Sequence, residues 1–309
     1  EYIKTKMESL RGKHVLVTGG SSGIGLAVAK EVAFAGAHVT LISRNKQRLV
    51  EAKSEVQKCC QSEAQNVIYV PADVSKPQSI NQAVVDAVNE QSLPPYMIVC
   101  SAGLSISGTI GSLSDEDIIH ENGVNYLGTV FTVRACLPHM KSLGEGRIIL
   151  VSSLAGMAGL YGYTTYSASK FALRGFAEAL TMELHEYNIK VTVSLPPNTD
   201  TPGYHEEIKT IPLETKLITN TADTVKPEVV AKQMLKDSMA GRFYSTVDFE
   251  GQMLTIGNPG MAPPGSVCEL VGQVMLGGLL RVVSVFYLFR FNRVIESCRK
   301  NKDSKKKSD

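Results

Sequence analysis

From His14 to Leu195, short apolar runs alternate with longer stretches of helical period. His14–Thr18 (HVLVT) reads as a buried strand, Gly25–Ala35 as a helix, His38–Ile42 as a strand and Gln47–Lys58 as a helix. Val67–Val70 is a third strand, followed by a helix over Gln78–Gln91 and a fourth strand, Tyr96–Cys100 (YMIVC). A long helix is expected around Asp115–Leu137, a fifth strand at Arg147–Val151, a helix around Tyr166–Leu184 and a sixth strand at Lys190–Leu195. Strands that alternate with helices call for right-handed βαβ crossovers and a parallel sheet. The pattern predicts an α/β, doubly wound parallel sheet with helices on both faces. Its ligand site should lie at the carboxyl ends of the strands.

Beyond Leu195 the pattern breaks. Pro196 to Thr224 is rich in proline, threonine and charge, with no clear period. Loops of this length are uncommon unless functional or disordered, and this one follows a strand's carboxyl end, so it is expected to be a substrate lid. Pro227–Ala240 returns to a helical pattern, and Gly241–Gly265 reads as irregular. Leu270–Phe289 (LVGQVMLGGLLRVVSVFYLF) is 20 residues long with one charge, Arg281. Roughly 20 apolar residues span a bilayer core, but a central arginine opposes a clean span. Three readings stay open: a helix in the membrane interface, a buried or dimer-interface helix, and a true span. The expected organisation is a catalytic domain over residues 1–265, with its lid at 196–224, and a membrane-associating C-terminal extension over 266–309.

Composition narrows the function classes. The chain has 309 residues, 43% hydrophobic and 20% charged, which suits one large domain plus an extension. Its net charge is +2, but from Arg290 onward eight basic residues stand against three acidic ones. The body is therefore mildly acidic, which argues against nucleic-acid binding, whereas the basic tail suits an anionic lipid surface. The six cysteines form no C-x-x-C and no zinc-spaced cluster with histidine, so no metal is expected and free thiols are. The chain opens at Glu1 rather than methionine, which reads as either a processed or an incomplete N-terminus.

Thr18-Gly19-Gly20-Ser21-Ser22-Gly23-Ile24-Gly25 follows the first strand and opens a helix. Gly19 permits the sharp turn, Gly23 lets the backbone approach a pyrophosphate, and Gly25 lets the helix pack on the sheet. The helix N-terminus offers free N–H groups and a positive dipole end to phosphates, and Ser21 and Ser22 add hydroxyls. After the second strand, where an NAD enzyme usually carries an acidic residue, stands Arg44, with Arg48 one turn on. Two guanidinium groups suit a 2′-phosphate, so NADPH is expected over NADH; the alternative is an exposed arginine at a helix start. Asp73 and Val74, after the third strand, are placed for the adenine edge, with helix capping as a rival role for Asp73.

Tyr166-Ser167-Ala168-Ser169-Lys170 puts Tyr166 and Lys170 at i and i+4 on one helical face. A phenol with a pKa of about 10 exchanges protons poorly at neutral pH, and a nearby ammonium should lower it. Ser153, thirteen positions upstream at the end of the fifth strand, can hold a substrate carbonyl oxygen. Each residue alone is commonplace; the order glycine turn, serine, Tyr-x-x-x-Lys is the signal.

In that order the chain resembles the short-chain dehydrogenase/reductase family over about Lys13–Gly203. The resemblance implies a Rossmann fold, a ketone reductase or alcohol dehydrogenase, and a catalytic group of Ser153, Tyr166, Lys170 and Asn125. Asn125, in Asn125-Tyr126-Leu127-Gly128, would anchor a water in the proton relay to Lys170. The family's Asn-Asn-Ala-Gly appears here as Cys100-Ser101-Ala102-Gly103, so Ala102 and Gly103 fit the cofactor site and both asparagines are replaced. Pro196–Gly203, Pro212–Thr215 and Gly260–Pro263 are similar to members that reduce a long-chain ketone lipid in sphingolipid biosynthesis. The implied setting is the endoplasmic reticulum membrane, with the catalytic domain facing the cytosol. The Lys306-Lys307 pair near the C-terminus resembles a retrieval signal of that membrane, with a merely solvated tail as the alternative. The resemblance also allows a homodimer or homotetramer. Rival functions are a membrane-associated retinoid or steroid reductase of the same family, and a non-catalytic NADPH-binding scaffold.

Overall fold

The computed structural model describes residues 10–219 and 223–306 of the chain. Glu1, part of the expected lid (residues 220–222) and the second lysine of the Lys306-Lys307 pair lie outside the described residues. The described chain forms one parallel sheet in the order β3-β2-β1-β4-β5-β6-β7. Its strands are β1 (His14–Thr18), β2 (His38–Ser43), β3 (Val67–Pro71), β4 (Pro95–Cys100), β5 (Gly146–Val151), β6 (Ile189–Ser194) and β7 (Tyr244–Ser245).

The connecting helices are α1 (Gly23–Phe34), α2 (Lys46–Gln57), α3 (Pro77–Gln91), α4 (Asp115–Asn122), α5 (Gly128–Leu143) and α6 (Thr164–Glu183). A π-helical turn, Gly123–Leu127, joins α4 to α5, so the single long helix expected there is interrupted by a widened turn. Such turns commonly mark functional sites.

All six residues of β4 and all five of β1 are buried, because helices cover both faces of a parallel sheet. Two apolar clusters result, one holding Leu16, Ile98, Ile148 and Leu150, the other Val17, Leu41, Val99 and Ile149. Each such side chain contributes about 1.5–3 kcal/mol by leaving water. Strand order reverses between β1 and β4, and the crevice opens there.

Buried polar groups on β1 are paired. His14 Nδ1 lies 2.9 Å from the Leu93 carbonyl and Nε2 lies 2.8 Å from Thr40 Oγ1. Desolvation holds this imidazole neutral and lowers its pKa to about 4.

The stretch expected to be a lid, which shows no clear period in the sequence, folds into α7 (Pro202–Thr210) and α8 (Leu213–Thr219). Thr201 Oγ1 accepts the Tyr204 N–H at 3.1 Å, and Pro202 occupies the first turn, where its missing N–H costs nothing. The region read as irregular likewise holds β7 and α10 (Phe249–Gly257), after α9 (Pro227–Met239). Asp248 caps α10 by accepting the Gly251 N–H at 2.7 Å.

The final helix, α11, runs over Val267–Lys306, well beyond the apolar core seen in the sequence. It rests on α10 and α8 along one side. Val267–Asn301 is long and apolar enough to cross a membrane, and its most apolar window is not buried in the protein. Phe286 is 72% exposed and Leu279 62%, so the reading of a helix buried within this chain is excluded.

Candidate active site

A cleft of about 1100 Å³ opens along the carboxyl ends of the strands. At one end stand Arg44, Arg48, Asp73 and Val74; at the other stand Ser153, Tyr163, Tyr166 and Lys170, with Glu207 beside them. The β1–α1 loop forms the wall between, through Gly19, Ser21, Ser22, Gly23 and Ile24.

The loop explains its glycines. Gly19 has φ +69°, and a Cβ there would sit 2.7 Å from the Ala102 backbone nitrogen. Gly23 has φ +54°, and a Cβ there would sit 3.0 Å from the Thr201 methyl group. Gly25 does not line the cleft, and its role differs from the expected one. A Cβ there would strike the Gly19 carbonyl, so Gly25 packs the helix start on its own loop rather than on the sheet. Ser22 is the N-cap of α1 but makes no side-chain cap bond, and the first turn of α1 carries no acidic residue. The helix start therefore leaves its N–H groups to an anion. Ser21 Oγ donates to Ser43 Oγ at 3.0 Å.

Arg44 and Arg48 are both exposed at the rim. Asp73 Oδ1 accepts from the Ser75 N–H at 3.0 Å and from Ser75 Oγ at 2.8 Å, which makes a turn rather than a helix cap. Burial acts to raise the Asp73 carboxyl, but the Ser75 bonds and the charge of Arg44 win and hold it below its usual range. Gly103, Ala102 and Val74 complete the wall. A nicotinamide dinucleotide fits these features: a glycine loop that a Cβ would obstruct, an uncapped helix start and two arginines at one end.

The catalytic residues predicted from sequence converge at the other end. Ser153 follows β5 and accepts the Ala155 N–H at 3.2 Å. Its hydroxyl is also a hydrogen-bond partner of Tyr166, which lowers the phenol pKa. Lys170 is buried, and its Nζ donates to the Val151 carbonyl at 2.9 Å. Desolvation lowers its pKa to about 8. The expectation that the lysine lowers the tyrosine is corrected. Burial, then the negative charge of Glu207, raise the Tyr166 phenol above its ordinary value, and Lys170 does not offset them. The ammonium donates to Val151 and stands over the Tyr166 ring, 5.6 Å from its centroid.

Asn125 sits in the π-helical turn behind the cleft, not in its lining. Its Oδ1 accepts the Leu104 N–H at 2.9 Å, and its Nδ2 donates to the Leu104 carbonyl at 2.9 Å and to Ser169 Oγ at 3.1 Å. It thus fixes the segment after Gly103 against the helix that carries Tyr166 and Lys170.

Two carboxylates had no sequence signal. Glu121 is fully buried, and its oxygens accept from the Ile106 N–H at 2.7 Å and from Thr165 Oγ1 at 2.6 Å. Glu207, on α7, accepts the Tyr163 hydroxyl proton. The Tyr163 ring lies 5.5 Å from that of Tyr166. The stretch holding Glu207 showed no period, so its place in the cleft was invisible. From α11, Tyr287, Arg290 and Phe291 reach the cleft lining.

The glycine loop at the sheet's switch point and the Ser153–Tyr166–Lys170 group on one wall define a class. Residues 13–211 match the short chain dehydrogenase family model, and the chain belongs to this family of nicotinamide-dependent oxidoreductases. It is 45% identical to the 3-ketodihydrosphingosine reductase of Bos taurus, across 97% of this chain and 90% of that protein. It is also 45% identical to the 3-dehydrosphinganine reductase of Danio rerio, across 99% and 92%, and 37% identical to the 3-dehydrosphinganine reductase TSC10B of Arabidopsis thaliana, across 93% and 85%. A short chain dehydrogenase/reductase from Burkholderia phymatum, solved in complex with NAD, shares the fold with a TM-score of 0.68. It is 22% identical, and the match covers 76% of this chain and 88% of that one.

Proposed function

We propose that this chain reduces 3-oxosphinganine to sphinganine with NADPH, at the cytosolic face of the endoplasmic reticulum membrane. The convergence of Ser153, Tyr166 and Lys170 at the carboxyl end of β5, facing the glycine loop, carries the reaction type. When bound, the reduced nicotinamide supplies the hydride. Tyr166 gives its proton to the ketone oxygen as negative charge develops there. A phenol held above its ordinary pKa stays protonated until that moment, which is the state a reductase needs. Ser153 donates to the same oxygen and stabilises the alkoxide. Lys170 holds the ribose hydroxyls and replenishes the proton, and Asn125 keeps the wall around it rigid. Arg44 and Arg48 hold the 2′-phosphate.

The substrate class is supported by the relatives and by α11. That helix presents apolar residues to its surroundings along its length and brings Tyr287 and Phe291 to the cleft. A long-chain ketone can therefore pass from a bilayer along α11 into the site. The basic residues from Arg290 onward suit an anionic leaflet. The test is NADPH oxidation by the purified chain, in mixed micelles, with 3-oxosphinganine, retinal and a ketosteroid. Turnover of the sphingoid ketone well above the other two is the expected result, and preference for either rival overturns the substrate assignment. Binding to vesicles with and without anionic lipid tests the membrane assignment.

A further inference from the structure

The acidic residue beside the catalytic tyrosine has no part in hydride or proton transfer. We infer that Glu207 is the specificity-determining residue of the site, binding the substrate's ammonium group through its carboxylate while Tyr163 holds that carboxylate in place. This rests on the sphingoid reading above and deepens it.

The placement comes first. Glu207 lines the cleft on the catalytic side, and Tyr163 donates its hydroxyl proton to Glu207 Oε1. Tyr163 in turn packs its ring 5.5 Å from the ring of Tyr166, tilted by 49°. Tyr163 thus links Glu207 to Tyr166, which sets the carboxylate near where the ketone oxygen must sit, and its charge acts on Tyr166 and on Lys170.

Three other acids are nearby and do not compete. Glu121 is outside the cleft, with its oxygens engaged by Ile106 and Thr165. Glu206 lines the cleft but is paired with Lys209 at 2.6 and 2.7 Å. Glu250 lines the cleft but its charge is not among those acting on Tyr166 or Lys170. Among the described residues Glu207 makes no ion pair. Burial raises the Glu207 carboxyl above its usual range although the Tyr163 hydroxyl and the charge of Lys170 oppose it, and a ligand cation beside it would favour its charged form.

The chemistry of the ligand matches. In a 2-amino-3-ketone the nitrogen is two bonds from the reacting carbon, about 2.5 Å by standard bond lengths and angles. A ketone oxygen held by Ser153 and Tyr166 thus carries its ammonium into the neighbourhood of Glu207. The ammonium also cancels the negative field that Glu207 casts on Tyr166, so the cognate substrate eases release of the phenol proton. A ketone without the amine leaves that field in place.

The experiment compares Glu207→Gln with the wild type on two ketones of equal chain length in mixed micelles, 3-oxosphinganine and its deaminated analogue, 1-hydroxyoctadecan-3-one. The glutamine keeps an oxygen for Tyr163 and removes the charge. Loss of a charge-assisted bond should lower kcat/KM on the aminoketone by roughly 10–100-fold more than on the analogue. An equal loss on both ketones overturns the proposal. A second measurement needs no variant: octadecylamine should inhibit the wild type at lower concentration than octadecanol does. Equal inhibition by amine and alcohol also overturns it. If the wild type turns over a retinoid or steroid and not 3-oxosphinganine, the substrate reading itself fails and the Glu207 assignment falls with it.

Discussion

Lys170 reaches past Tyr166. Its Nζ donates to the Val151 carbonyl at 2.9 Å and stands 5.6 Å from the Tyr166 ring centroid. The pair spacing of i and i+4 sets both side chains on one face of α6, but the buried carbonyl end of β5 decides where the ammonium points. Burial then lowers the lysine pKa to about 8.

That value sets a pH dependence. A lysine whose pKa is lowered keeps its proton below about pH 8 and loses it above. The kcat/KM for ketone reduction should therefore fall as pH rises through about 8. Initial rates of NADPH oxidation across this range check it, and a profile that stays flat well above pH 8 counts against a charged Lys170 in the reaction.

Tyr166→Phe removes the proton donor and keeps the ring. Turnover should drop on the order of 10²–10⁴-fold, the usual worth of general acid catalysis. NADPH affinity, read from the quenching or enhancement of its fluorescence, should stay near that of the wild type. Undiminished turnover would remove Tyr166 from the reaction.

Arg44→Ala combined with Arg48→Ala tests the choice of cofactor. Charge-assisted bonds to a phosphate are worth about 1.5–3 kcal/mol each, so losing both should raise KM for NADPH by roughly 10²–10⁴-fold. KM for NADH, which has no 2′-phosphate, should change little. Equal effects on both cofactors would show that the arginines act only on the loop's shape.

His14 makes folding acid-sensitive. Its folded pKa, about 4, lies below the 6.5 of an unperturbed imidazole. Above pH 6.5 neither state binds the proton; between 6.5 and 4 the unfolded chain binds it and the folded chain does not. Stability should fall by about 3 kcal/mol across that window. His14→Gln, which has no such proton, should show a smaller drop in melting temperature between neutral and acidic buffer. Parallel curves for the two proteins would place the acid sensitivity elsewhere.

The sequence by itself determined the first six strands of the sheet, the glycine loop and the pairing of Tyr166 with Lys170. These depend on short-range regularities: apolar runs of strand length, a turn that only glycine can make at Gly19, and the 3.6-residue period of a helix. It also carries helix-end signals in stretches without a period. Thr201-Pro202 and Asp248 start α7 and α10, in stretches too short to show a period. What only the tertiary structure decided are relations between residues far apart in the chain. Glu207 meets Tyr163 because the segment after β6 folds back over the strand ends, and no local pattern encodes that return. Asn125 holds Leu104 rather than lining the cleft because the π-helical turn rotates it inward. The apolar window of α11 is open although α10 and α8 pack on the helix, and whether an apolar helix is buried depends on what else folds against it. Hydrophobic period records a tendency to leave water; the path of the whole chain settles which surface satisfies it.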